Sequence, residues 1–249
     1  MEEKKTSLLF KFIRGLVRLF YPPVKTEGTE NIPEEPVIFV ANHCHMHGPI
    51  VGELYMPGKP YIWCAGQMMH LEDVPDYAFR DFWGYKPRRS RWFYRILSYM
   101  IAPLSVCIFN NARTIGVYHD ARIVSTFKKT VEVLGNGKSV LIFPEKDANH
   151  NHILCEFQEK FIDVAKLYYK RTGKCLQFVP VYLAPSLKKV CIGKPTRFQP
   201  DLPMDQERRR ICDYLMEEIT QIACDLPEHT VIPYRNIAKK YYPTNKERK

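Results

Sequence analysis

The sequence predicts an α/β domain: a central, largely parallel or mixed sheet flanked by helices, preceded by an amphipathic helix. Three observations predict it. Short apolar, β-prone runs recur at Val37–Ala41, Tyr61–Ala65, Val106–Phe109, Val140–Phe143, Phe178–Leu183 and Val190–Ile192. Segments of helical spacing lie between several of them, and strands alternating with helices build parallel sheets. The N-terminal segment has a helical period of its own, with its cations set apart from its apolar residues. At 249 residues the chain can bury a core without a disulfide or metal staple.

In chain order, residues 6–20 place Leu9, Phe12, Ile13, Leu16 and Phe20 on one face and Lys11, Arg14 and Arg18 on another. Thr6 or Ser7 caps the start, and Tyr21-Pro22-Pro23 ends the helix. Such a helix packs on a core or lies in a membrane interface. Each cation near an anionic leaflet adds about 1 kcal/mol and each buried Leu or Phe about 1.5–3 kcal/mol, enough in sum for peripheral binding. Residues 85–109 set Lys86, Arg88, Arg89, Arg91 and Arg95 ahead of Ile96, Leu97, Met100, Ile101 and Leu104, a basic end joined to an apolar run. Residues 120–134 carry Ile123, Phe127, Val131 and Leu134 on one face. Residues 156–171 do the same with Phe157, Phe161, Val164, Ala165 and Tyr168, and 205–224 with Ile211, Leu215, Ile219 and Ile222. Pro180, inside an apolar run, predicts an edge or bulged strand. The tail YYPTNKERK is polar and reads as a fraying end. The outline is an interfacial helix over residues 1–23, an α/β domain over 24–235 and a basic tail over 236–249.

Lys plus Arg outnumber Asp plus Glu by 37 to 27, a net charge of +10. That predicts an anionic partner. With aromatic residues at 13% and no recognised nucleic-acid motif, an anionic membrane surface fits better than nucleic acid. No run of 18 consecutive apolar residues occurs, which argues against a simple spanning helix. The eight cysteines are scattered, several in apolar runs, and read as small buried hydrophobes of a reducing compartment. The N-terminus lacks a secretory pattern, so the working face is expected to be the cytoplasmic face of the membrane, with the protein peripheral or monotopic.

Two strand exits carry chemistry. Val37–Ala41 runs into Asn42-His43, and Val140–Phe143 runs into Pro144-Glu145. Loops at such exits build the sites of α/β domains. The first is VIFVANHCHMHGP, the second SVLIFPEKD, and a third run, Phe178-Val179-Pro180-Val181-Tyr182-Leu183, follows. In this order, from about Val24 to Phe198, they resemble the glycerolipid acyltransferase family, typified by 1-acylglycerol-3-phosphate acyltransferases. Asn42 and His43 match that family's N-H-x-x-x-x-D, Phe143-Pro144-Glu145 its F-P-E-G, and Val179-Pro180-Val181 its V-P-V strand. The resemblance implies a glycerolphosphate acyltransferase-like fold. It also implies O-acyl transfer from acyl-CoA or acyl-carrier protein to a lysophospholipid or glycerolipid hydroxyl. His43 would be the general base, since neutral imidazole suits proton abstraction near pH 7. Asn42, Phe143, Pro144, Glu145, Lys146 and Asp147 would shape the acceptor site. Arg113, His119, Arg122 and Lys146 are the candidates for an acceptor phosphate. No metal and no organic cofactor are called for; the thioester is a substrate.

The departures from the family pattern matter. Gly48 stands where the family has its aspartate, and Lys146-Asp147-Ala148 where it has glycine, threonine and arginine. In the serine-protease triad, losing the aspartate's service costs about 10⁴ in rate, roughly 5 kcal/mol. Asp147, His45 and His47 are the candidates to replace it. A lipid-binding pseudoenzyme of the same fold is the alternative. A zinc site from His43, Cys44, His45 and His47 with His150, His152 and Cys155 is a further reading, although the spacing fits no standard zinc motif.

Overall fold

Val37–Ala41 is buried at every position, which is the pattern of a strand covered on both faces. A computed structural model of the chain describes residues 6–247. Its elements run α1 (Leu8–Phe20), β1 (Lys25–Glu27), β2 (Val37–Ala41), α2 (His47–Leu54), β3 (Tyr61–Ala65), α3 (Val74–Trp83), α4 (Arg91–Asn111), β4 (Thr114–Val117) and α5 (Ile123–Gly135). They continue with β5 (Val140–Ile142), β6 (Glu145–Asn149), β7 (Cys155–Phe157), α6 (Asp163–Thr172), β8 (Gln177–Ala184), β9 (Lys189–Ile192), β10 (Thr196–Arg197) and α7 (Met204–Asp225). The chain divides into two units. The smaller takes the residues up to Pro22 with Trp63–Thr126, the larger Pro23–Ile62 with the residues from Phe127 on.

The larger unit is an α/β unit of the class that the sequence predicts, although residues 63–126 of the expected span 24–235 fall in the smaller one. Its strands follow the order β1-β9-β8-β2-β5, then the start of β3. Four of these pairings are parallel, while β9 and β10 pair antiparallel to β8, so the sheet is mixed and mostly parallel. β2, β5 and nearly all of β8 are buried. Helix α7 packs on β8 through Ile211, Leu215, Ile219 and Ala223. Val164, Ala165 and Tyr168 form the buried side of α6. The register decides where the site forms. Val40 lies opposite Ile142, and Ala41 opposite Val181. His43 therefore leaves β2 three residues past the rung from which Glu145 leaves β5, again three residues on.

The smaller unit is mainly helical. Met68, Val74, Ala78 and Ala102 make its core, and α3 packs on α4. Ser7 caps α1 by accepting the Phe10 N–H at 3.1 Å, and its own N–H donates to Asn111 Oδ1 at 2.8 Å. Phe10 is the buried residue of α1; Leu9, Phe12, Leu16 and Phe20 face outward, Phe20 at 80% exposure. Helix α4 buries its small residues, Ser98, Ala102 and Ser105, and turns Trp92, Phe93, Ile96, Tyr99, Met100 and Leu104 outward. Ser105 donates to the Met68 carbonyl at 3.0 Å. This is the inverse of a helix packed in a water-soluble core.

Several expectations need correction. Val106–Phe109 is not a strand but the last turns of α4, because a short apolar run does not separate strand from helix. The helix expected over 156–171 begins at Asp163. Cys155–Phe157 instead pairs antiparallel with β6, and a 3₁₀ turn follows. Pro180 is not on an edge strand, since β8 lies between β2 and β9. Its carbonyl accepts the Gly193 N–H at 2.9 Å, so its missing N–H falls in the gap between the pairings with β10 and β9. By length and composition, Arg88–Asn111 is long and apolar enough to cross a membrane, although no single apolar run of that length exists.

The tail does not fray over its described part. Val231 N–H donates to the Pro243 carbonyl at 2.9 Å and Thr230 bridges Thr244, closing the neck of a loop. Asn245, buried, accepts the His229 N–H at 2.9 Å and donates to the Ala223 carbonyl at 2.8 Å. Residues 1–5 of the predicted interfacial helix and 248–249 of the predicted tail lie outside the described residues. Asn245→Ala strands these buried partners. It is expected to cost about 2 kcal/mol, a Tm fall of roughly 4–8 °C in a thermal unfolding scan.

Candidate active site

The β2 exit is held by side chains that imitate backbone. Asn42 is buried; its Oδ1 accepts the Leu183 N–H at 2.7 Å and its Nδ2 donates to the Leu183 carbonyl at 3.1 Å. The amide thereby adds one rung between β2 and β8 beyond the last backbone pair. Nδ2 also lies 2.9 Å from Cys44 Sγ. The next two residues turn left-handed, Cys44 at φ +48° and His45 at φ +51°. Each such residue costs about 1–3 kcal/mol, so the turn persists only because its surroundings impose it. The Asn42 amide is one restraint, and Glu145 is the second.

Glu145 is 3% exposed. Its Oε1 accepts the His43 N–H at 2.7 Å and its Oε2 accepts the Cys155 N–H at 2.8 Å. One carboxylate thus ties the His43 loop to the β6–β7 hairpin. Burial pushes its pKa up to about 7, against the pull of the His43 and Cys155 amides. The two strand-exit motifs converge as the β2–β5 register requires.

Two rings meet the His43 imidazole. Phe143 meets it edge-on at 5.5 Å and Tyr234 at 5.7 Å, with planes 88° apart for Tyr234. Contacts of this geometry are worth about 0.5–1.5 kcal/mol each between aromatic rings. Nδ1 of His43 is buried without a hydrogen-bond partner. Burial, and then the neighbouring His45, lower the His43 pKa to about 4. The imidazole is neutral at pH 7, as a general base must be.

Gly48, in the first turn of α2, explains why no carboxylate reaches Nδ1 from that position. A Cβ there would stand 2.3 Å from the His43 carbonyl oxygen and 2.9 Å from the Phe143 ring. The α2 backbone has closed onto the space a side chain would need. Asp147 forms an ion pair with Arg235, and Arg235 also donates to Asn149 Oδ1 at 2.9 Å. His45 packs edge-on to Tyr242 at 6.4 Å, and its Nε2 is buried without a partner. Burial, then His45 and Lys239, hold the His47 pKa below its ordinary value. Among the described residues, no three His, Cys, Asp or Glu side chains gather as metal ligands.

The larger unit therefore brings together Asn42, His43, Phe143, Pro144 and Glu145. Pro144 is buried, and its carbonyl accepts the Gln158 N–H at 2.8 Å. Lys146 pairs with Glu156 at 3.0 Å on the hairpin. Arg113, His119 and Arg122 belong to the smaller unit. There Arg122 pairs with Asp120 at 2.7 Å and lies 4.2 Å over the Tyr118 ring, while His119 is exposed. Tyr234, Tyr242 and the Cys155 amide escape sequence reasoning. The first two sit nearly two hundred residues after His43 in a segment without period, and a backbone amide has no sequence signature. All eight cysteines are free.

No family model and no curated protein matches the sequence. Among solved structures, the chain is similar to the 1-acyl-sn-glycerophosphate (LPA) acyltransferase PlsC from Thermotoga maritima. Identity is 17% and the TM-score 0.48, over 88% of this chain and 81% of that one.

Two outcomes follow. Gly48→Ala and Gly48→Asp both press a side chain on backbone and ring. Each is expected to destabilise by about 1–3 kcal/mol in chemical denaturation, the aspartate no less than the alanine. In an NMR titration His43 is expected to titrate near pH 4 rather than near 6.5. Between those values the unfolded chain binds more protons at this residue, so its contribution to stability falls as the pH drops from 6.5 to 4. Glu145, raised from 4.5 to about 7, works with the opposite sign, its contribution being lost as the pH rises from 4.5 to 7.

Proposed function

We propose that the protein is an O-acyltransferase that moves an acyl group from an acyl-thioester, acyl-CoA or acyl-carrier protein, to a lysophospholipid or glycerolipid hydroxyl at the cytoplasmic face of a membrane. The observation that carries the reading is the contact between the two strand-exit motifs. Glu145 of F-P-E holds the backbone of His43 of N-H, and the imidazole beside it is neutral. In the proposed reaction, His43 Nε2 takes the proton of the acceptor hydroxyl as its oxygen attacks the thioester carbonyl. The tetrahedral intermediate collapses with loss of the thiolate, which takes the proton back from the imidazolium. Glu145 serves as a positioning carboxylate, both oxygens being engaged by amides. The acyl donor brings the reactive group, so no cofactor enters.

The outward apolar faces of α1 and α4 support the membrane part of this reading. Lys86, Arg88, Arg89, Arg91 and Arg95 lie at or just before the start of α4, and Trp92, Phe93 and Tyr99 flank them. Aromatic and cationic residues side by side suit the headgroup region of an anionic leaflet. Phe12→Glu with Leu16→Glu is expected to lower partition onto anionic vesicles by tenfold or more, read by co-sedimentation.

A second reading, a lipid-binding pseudoenzyme, is favoured by one observation. For Nε2 to accept a proton, Nδ1 must carry one, and that N–H is buried with nothing to accept it. An unpaired buried donor costs about 1–3 kcal/mol. Purified protein with a panel of acyl-thioesters and lysolipids in vesicles, followed by thiol release, separates the two. Turnover that falls at least 10³-fold in His43→Ala supports the transferase. Vesicle binding with no turnover across the panel supports the pseudoenzyme.

A further inference from the structure

His43 has a fixed backbone but no hydrogen bond to fix its ring. Its amide is held by Glu145 at 2.7 Å, whereas Nδ1 is buried without a partner. Two aromatic rings meet the imidazole. Phe143 comes from the F-P-E segment and Tyr234 from the C-terminal loop, at 5.5 and 5.7 Å. That loop is built to stay in place. Its neck is closed by the Val231–Pro243 hydrogen bond at 2.9 Å and the Thr230–Thr244 bridge, and Asn245 anchors its far end. Along it, Arg235 pairs with Asp147 and Tyr242 packs on His45, so it meets both chain segments that form the site.

We propose that Tyr234, carried by the C-terminal loop and working against Phe143, is a positioning residue that sets the orientation of the His43 imidazole, in place of the carboxylate for which Gly48 leaves no room. The proposal rests on the reading of His43 as the base, but the clamp itself is a statement about the ring and can be tested without turnover. Edge contacts fix the plane of the imidazole without choosing which nitrogen carries the proton. They also keep water from Nδ1, in line with the lowered His43 pKa. The titratable groups that face His43 are His45, whose charge opposes its protonation, Glu145 at its amide, and the Tyr234 phenol.

The test compares Tyr234→Ala with Tyr234→Phe, which keeps the ring. In labelled full-length protein, Tyr234→Ala should raise the His43 imidazole pKa by about one unit or more as water reaches Nδ1, and Tyr234→Phe should restore it. With acyl-thioester and lysolipid, Tyr234→Ala should lower kcat by roughly 10- to 100-fold with KM within about threefold, and Tyr234→Phe should recover most of it. An unchanged His43 pKa in a folded Tyr234→Ala protein overturns the clamp, whatever the activity. If the wild-type chain has no turnover, the transferase reading fails, while the titration still decides the clamp. If Tyr234→Ala does not fold, cross-relaxation between the Tyr234 and His43 ring protons of the wild type decides: its presence supports the clamp and its absence refutes it.

Discussion

One buried carboxylate holds the candidate site together. Glu145 accepts an amide proton on each oxygen, one from the β2 exit and one from β7. A carboxylate with both oxygens so engaged is fixed in place, and it joins the two loops that donate to it. Its cost is burial, which pushes its pKa up to about 7. That cost is tolerated because the loop it restrains is itself strained, with Cys44 and His45 both left-handed. Without the Asn42 rung and the Glu145 clamp, the segment after β2 would relax, and His43 would leave the strand in another direction.

The smaller unit follows a different rule. Helix α4 buries its small residues and shows most of its large ones, and α1 shows Leu8, Leu9, Phe12, Leu16, Leu19 and Phe20. In water such an arrangement exposes apolar surface at roughly 25 cal/mol per Å², and evolution normally turns those faces inward. Two neighbouring helices doing so together, one of them capped by Ser7 and tied to Asn111 of the other, make a deliberate surface rather than a scatter of exposed side chains.

What the sequence disclosed and what it withheld divide along physical lines. β2, β5, β8 and α7 were legible because their burial is periodic or continuous, and burial writes itself into composition. The convergence of His43 and Glu145 was legible only through their place at strand ends, and it became a contact once the register was known. Val106–Phe109 reads as a strand in sequence because a helix that is apolar on its packed side and on its outward side carries no polar stripe to mark its period. The start of α6 was misread because the Cys155 amide, which Glu145 requires, keeps residues 155–157 extended. Tyr234 was invisible, since nothing in its local sequence says which loop it will meet.

Gly48 is the position where sequence and structure speak to each other most directly. Read alone, it is a missing carboxylate. In the structure it is a close approach, with the α2 backbone packed against the His43 carbonyl and the Phe143 ring. The two facts are one: a helix that starts this near to the His43 carbonyl and the Phe143 ring leaves no room there for a side chain. An aspartate orients a histidine by a directional bond and stabilises its charge; aromatic edges hold its plane and stabilise the neutral form. Burial, and then His45, hold the His43 pKa at about 4, so the imidazole stays neutral down to low pH, but such surroundings lend little to an imidazolium. In the proposed reaction the proton that His43 accepts must therefore move on quickly, and the departing thiolate is a group able to take it.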